Sequence, residues 1–363
     1  MTLSNLIEET AKGRWDETRA RAWHDSLPWL VGCNFIPSGA INQLEMWQAD
    51  TFNPKEIDRE LGWLAGTGMN TARVFLHDLL WKQDAQGFLS RIDQFLDIAE
   101  RHRIGIMFVF FDSCWNPYPE LGGQRAPTPH VHNSFWAQSP GAAIVNDPAA
   151  FEQLQGYVTG VVNHLRNDKR VLVWDVWNEP DNINLGSYHT GGLTQEQKAG
   201  IITPLLARAF QWVRSAHPTQ PLTSGIWAAG TADWSGDDKL IALQQLQLHV
   251  SDVTSFHRYT ALEETRVTVE PLKRFGRPLL CTEYIARGAG STFEAILPYF
   301  KREKIAAYNW GAVSGKTQTI YPWDSWEKAY TEEPPVWHHD IFRPDGSPYD
   351  PRETALIKSL LGR

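Results

Sequence analysis

Two glutamates in this chain each close an apolar run. Glu179 ends the stretch from Val171 to Trp177 and is followed by Pro180, and Glu283 ends the stretch from Pro278 to Cys281. Two carboxyl groups that meet across a bound molecule can divide acid–base work. One protonates a leaving oxygen while the other attacks carbon or activates water, which is what cleavage of a glycosidic bond requires. One such glutamate alone is equally well a capped or salt-bridged surface residue, so the pair carries the reading. Asn178 and Glu179 are consecutive, and consecutive strand residues face opposite sides. They share a site only if the chain turns there, and Pro180, which a central strand does not tolerate, helps to force that turn.

Other residues add to this pair or read more simply. Arg73 ends an apolar run; it is either a core ion pair with Asp175 or a partner for a carboxylate. His257 and Tyr259 alternate and so share a face, either in a site or in a satisfied core hydrogen bond. Trp310, on the last apolar run, reads by itself as core filler, and Asp112 as a substrate contact or a loop cap. Trp115 and His132 lie in the loop that follows Asp112 and are candidate sugar contacts. His130 and His132, and likewise His338, His339 and Asp340, suggest a metal site, but neither group has a third ligand at a recognisable spacing. They are read as solvated or sugar-contacting, and no metal or cofactor is expected. Cys281 faces the same way as Glu283 and is read as a packing residue.

The elements that must position these residues follow from the pattern of apolar runs. Eight short runs recur: Leu30–Ile36, Asn70–Leu76, Ile104–Phe111, Val171–Trp177, Pro221–Trp227, Val253–His257, Pro278–Glu283 and Ala306–Gly311. Amphipathic stretches separate them, at Pro54–Gly66, Arg91–His102, Phe151–Asn167, Thr194–Ala216, Glu263–Phe275 and Phe293–Glu303. The helical pattern is blurred over Ala228–Gln247, where Gly230, Ser235 and Gly236 intervene. Strand then helix, repeated eight times without a change in composition, predicts an α/β fold of the (β/α)8 TIM-barrel type. Residues 30–363 are expected to form one catalytic domain, with residues 1–29 a helical extension packed on it. In such a barrel the site lies at the carboxyl ends of the strands. The long loops Asp112–Ala150, Asp181–Leu193 and Ala312–Pro335 fall at that end. The first carries Trp115, Tyr118, Phe135 and Trp136 with Arg125, His130 and His132, a mixture suited to stacking on sugar rings and bonding their hydroxyls.

Composition narrows the partners. The net charge is −8, the basic residues are scattered, and the isoelectric point is near 5.8. Neither a nucleic acid nor an anionic membrane is expected as a partner. The chain has 17 Trp against 16 Phe and 10 Tyr. Because a buried indole N–H needs an acceptor, many of these are expected to line an amphipathic surface. Met1 to Arg14 is polar and lacks the apolar stretch of a secretion signal. Cys33, Cys114 and Cys281 have no CxxC spacing and read as buried free thiols, so a cytoplasmic location is expected. The sequence leaves the oligomeric state open.

Taken together, these residues resemble a clan A glycoside hydrolase, most like the cellulase-type family 5, from Gly32 to Trp310. The resemblance rests on Arg73, Asn178-Glu179-Pro180, His257, Tyr259, Glu283 and Trp310 in this order. It implies a retaining mechanism with Glu179 as acid/base and Glu283 as nucleophile. It also implies Asn178 on the sugar 2-hydroxyl, Arg73 and Tyr259 holding Glu283 ionised, and Trp310 as the floor under the sugar, with a cis peptide before Gly311. A charged Glu283 and the apolar Trp177 are expected to raise the pKa of Glu179. The chain departs from the family in having Asp112-Ser113-Cys114-Trp115 where many members place a histidine. The expected substrate is a carbohydrate, a short β-linked xyloside, mannoside or glucoside. The alternatives are an open-cleft endo-β-1,4-glycanase, a transglycosylase, and a barrel that binds carbohydrate without turnover.

Overall fold

The computed structural model describes residues 2–188, 192–228 and 232–362. Eight strands form one sheet: β1 (Val31–Asn34), β2 (Thr71–Phe75), β3 (Gly105–Asp112), β4 (Val171–Asn178), β5 (Leu222–Thr223), β6 (Thr254–His257), β7 (Leu279–Tyr284) and β8 (Ala306–Asn309). Every laddered neighbour is parallel, and β1 pairs with both β2 and β8. The remaining seam, between β5 and β6, is closed by a parallel bridge from Ile226 to Phe256. There the Ile226 N–H donates to the Ser255 carbonyl at 3.1 Å, and the His257 N–H to the Ile226 carbonyl at 2.9 Å. The fold is a (β/α)8 barrel.

β5 is shorter than the run that predicted it, because side chains replace part of its ladder. Beyond Thr223, Ser251 Oγ accepts from the Ser224 N–H at 3.3 Å, and Ser224 Oγ donates to the Trp177 carbonyl at 2.8 Å. β1 and β2 run so close that a Cβ on Gly32 would lie 1.7 Å from the Thr71 carbonyl oxygen, so only glycine fits.

The barrel interior is layered. Met107, Val173, Val253, Leu280 and Tyr308 fill its lower half. Trp23 and Leu27, from the N-terminal segment that carries helices Leu3–Thr10 and Glu17–Asp25, pack beneath them. Above this floor the inward positions are polar and still buried: Asn34, Arg73, Asp175, Asn178, His257, Glu283 and Asn309. An apolar plug under a polar crown places the chemistry at the carboxyl ends of the strands.

The helices follow their sequence signals, with differences that have local causes. Pro54–Gly66 begins at Asn53, whose side chain accepts from the Glu56 N–H at 3.2 Å, with Pro54 at the first turn. The expected helix at Arg91–His102 is the second part of a longer one, Asp78–Arg101, broken at Asp84 (φ −161°). Ala228–Gln247 holds a 3-10 turn, Asp237–Lys239, and the start of helix Ala242–Val250, while Gly230 lies outside the described residues. Helix Pro351–Leu360, which periodicity did not reveal, packs on helix Phe293–Glu303. Among the described residues no helix is long and apolar enough to cross a membrane.

Candidate active site

The turn required after β4 is present. Glu179 has φ 40°, in the left-handed region that a side chain rarely adopts, so Asn178 and Glu179 both reach the cavity. Trp177 turns outward, where it stacks on Phe151 (5.8 Å, 16°) between sheet and helices. It therefore contributes nothing to the surroundings of Glu179, contrary to the expectation from sequence.

Arg73 is the hub beneath the site and is 0% exposed. Its guanidinium donates to Asp175 Oδ2 (2.8 and 3.0 Å), Glu283 Oε1 (2.9 Å), Asn34 Oδ1 (2.7 Å) and Asn178 Oδ1 (2.6 Å). Both sequence readings of Arg73 thus hold together: it pairs with Asp175 and also carries Glu283. Buried charges on this scale persist only when their hydrogen bonds are nearly complete. The second oxygen of Glu283 accepts from the Tyr259 hydroxyl at 2.7 Å.

Glu179 sits among three partners. His257 Nδ1 lies 2.8 Å from Oε1, while Asn182 Nδ2 (2.6 Å) and Cys114 Sγ (3.3 Å) meet Oε2. One ligand-type atom from each of Glu179, His257 and Glu283 lies within 4.8 Å of the other two. Burial raises the Glu179 carboxyl to about 7; Asn182 and Cys114 oppose this, and the Asp181 charge reinforces it. Burial is the main cause, and the mutual repulsion of the neighbouring Glu179 and Glu283 carboxylates acts in the same direction. Burial also raises Glu283, with His257, Arg73 and Tyr259 opposing it and Glu179 adding to it. In the free protein the two donors do not hold Glu283 below the ordinary range. Burial lowers His257 to about 4, so its ring is neutral at neutral pH.

The walls come from the long loops. Trp310 lies edge-on to Phe75 (5.8 Å) and Trp136 (5.4 Å) and faces the cavity. Its bond to Gly311 is trans; among the described residues the cis bond is Ser139–Pro140. Gly311 itself makes the turn at φ 81°, and the Asn309 side chain holds the Trp310 and Gly311 carbonyls, so no cis bond is needed. Asp112 is buried behind Asn178. Its oxygens accept from Asn178 Nδ2 (3.0 Å), the Cys114 N–H (3.0 Å) and Trp136 Nε1 (2.6 Å). It orients those groups and does not touch the cavity. His257 likewise lies beneath the glutamates rather than on the wall.

Trp115 and His132 do line the cavity. Trp115 stacks on Trp326 (5.6 Å, 9°) and lies 5.3 Å from the His132 ring. The loops after β3 and β8 are bonded to each other. The Asn133 N–H donates to the Thr317 carbonyl (2.8 Å), the His132 N–H to Ser325 Oγ (3.0 Å) and Trp326 Nε1 to the His132 carbonyl (2.8 Å). The histidines considered for metal binding, with Asp340, do not converge as three ligands among the described residues; the trio that does is Glu179, His257 and Glu283. Residues missed from sequence are Asn34, Cys114, Asn182 and Trp323, while His339, read there as solvated or sugar-contacting, lines the cavity. Only Cys114 had a signal, as part of the departure after β3.

A (β/α)8 barrel with two facing strand-end glutamates in an aromatic-walled cavity defines a glycosidase. The Cellulase (glycosyl hydrolase family 5) model matches residues 52–316, and the chain belongs to that family. No curated protein matches it. Among solved structures it is similar to a Streptomyces cattleya family 5 protein in complex with Manβ1-4GlcNAc (13% identity, TM-score 0.57, covering 91% of this chain and 80% of that one). It is also similar to a β-mannanase from the blue mussel Mytilus edulis (16%, TM-score 0.55, 92% of each). A third is an exo-β-1,4-mannosidase from Opitutaceae bacterium strain TAV5 (19%, TM-score 0.59, 92% of this chain and 59% of that one). At these identities the likeness concerns the fold.

Proposed function

We propose that this protein is a retaining β-glycosidase that removes sugar units from the ends of short β-linked glycosides. The observation that carries the reading is the approach of one carboxyl oxygen of Glu179 to one of Glu283, within 4.8 Å and beside His257. Retention uses carboxyls ~5–5.5 Å apart, whereas inversion needs ~6.5–9.5 Å to admit a water. Glu283 attacks the anomeric carbon as Glu179 passes its proton to the leaving oxygen, forming a glycosyl ester. Glu179 then takes a proton from water, which attacks the same carbon and releases Glu283. Arg73 and Tyr259 stabilise Glu283 as it departs, and Asn178, held by Arg73 and Asp112, is set to bond the neighbouring hydroxyl.

The bonded loops after β3 and β8 support a cavity walled at one end, and hence action at a chain end. Similarity in fold to a mannanase and a mannosidase makes β-mannosides the first of the xylosides, mannosides and glucosides to test. Product analysis on a soluble β-1,4-glycan is the check. Mono- or disaccharide should accumulate from the start. An early ladder of mid-length oligosaccharides would mean an open cleft.

The contacts to Glu179 also set a pH dependence. Glu179 must be protonated for the first step, so kcat/KM on an unactivated substrate should fall as pH rises through about 7. Asn182 donates to the carboxylate and so favours its charged form. Asn182→Ala should therefore raise the pKa of Glu179 and move the alkaline limb to higher pH. A limb that stays in place would show that Asn182 does not act on this proton.

A further inference from the structure

Two buried imidazoles line the same cavity as the reacting carboxyls: His132, from the loop after β3, and His339, from the segment after β8. Their ring centres are 5.2 Å apart. In both rings Nδ1 meets a backbone carbonyl, that of Tyr321 at 2.8 Å for His132 and that of Ile285 for His339. A carbonyl can only accept, so Nδ1 bears the hydrogen, and Nε2 of a neutral ring offers a lone pair. Burial keeps the rings neutral, lowering His132 to about 4 and His339 well below the ordinary range.

The His339 segment is fixed from behind. Arg287 donates to the Trp337, His339 and Asp340 carbonyls at 2.9–3.1 Å and pairs with Glu353 at 2.6 Å. His339 lies 5.6 Å from the ring of Tyr259, whose hydroxyl bonds Glu283, and 5.7 Å from Trp323. His339 therefore stands on the Glu283 side of the cavity, with His132 beside it.

The geometry points to an acceptor-only recognition subsite, in which Nε2 of His132 and Nε2 of His339 each take a hydrogen bond from a hydroxyl of the sugar that Glu283 attacks. This rests on the glycosidase reading above and names its substrate class: neutral sugars with free hydroxyls on that edge, with uronic acids excluded. A hydroxyl has a proton to give. A uronate carboxylate brings only lone pairs against lone pairs, and Arg258, the cation on this cavity's wall, is already paired with Glu264.

The test is a kinetic cycle using aryl β-glycosides, their monodeoxy analogues and an aryl β-glucuronide. His339→Ala should lower kcat/KM on the parent glycoside by about 10- to 100-fold. On the one monodeoxy analogue that lacks the bonded hydroxyl, it should equal wild type. His132→Ala should behave in the same way on a different analogue. His339→Gln, which keeps an acceptor, should recover most of the parent activity, and wild type should not cleave the glucuronide. Equal losses on every analogue, or ready cleavage of the glucuronide, would overturn the subsite while leaving the glycosidase reading intact. Failure of wild type to cleave any parent glycoside would overturn both.

Discussion

Glu283→Ala should abolish turnover of every glycoside, including those with good leaving groups, by about five orders of magnitude or more. The reason is specific to this position. Glu283 is joined to Arg73 and Tyr259 by both of its oxygens, so the machinery that steadies it is useless without it. Alanine leaves the guanidinium bonded to Asp175, Asn34 and Asn178, so the protein should fold and still bind sugar. Binding of a competitive inhibitor, measured by calorimetry, separates lost chemistry from lost structure. Activity of Glu283→Ala above a hundredth of wild type would remove Glu283 from the nucleophile's role.

Glu179→Ala should behave differently, and the difference is diagnostic. Loss of the proton donor should cost about 10²–10⁴-fold on glycosides with poor leaving groups. A dinitrophenyl glycoside needs no proton, so its first step should be nearly spared and the glycosyl ester should accumulate as a burst. Azide, small enough to occupy the space left by the carboxylate, should accelerate the second step and yield the β-glycosyl azide. Full activity of Glu179→Ala on an unactivated disaccharide would refute the assignment, whatever the azide result.

The strand-end geometry was legible because it follows from local rules. Alternation along β4 with Pro180 after it required a turn at Glu179, and the positive φ there is that turn. Arg73, His257 and Tyr259 fall on inward-facing positions that spacing alone could assign. The residues that sequence missed reach the site through loops whose path depends on contacts distant in the chain. Asn182 meets Glu179 only because its own loop folds back, and Cys114 because the chain turns at Trp115, whose φ is 65°. His339, which sequence offered as a solvated or sugar-contacting residue, takes its place from Arg287, more than fifty residues earlier, and no periodic signal links the two. Trp177 illustrates the opposite error. Strict alternation would turn it inward, but the sheet registers both Phe111 and Trp177 toward the helices, so Glu179 loses the apolar neighbour that the sequence promised. Burial inside the crown supplies the effect instead.

Double displacement through Glu283 predicts the stereochemistry of the first product. Proton NMR of a β-glycoside hydrolysed by excess enzyme resolves the two anomeric signals before mutarotation mixes them. The β-anomer should appear first, with the α signal growing in only at the rate of mutarotation. Initial appearance of the α-anomer would mean direct attack by water, and would contradict a covalent intermediate on Glu283.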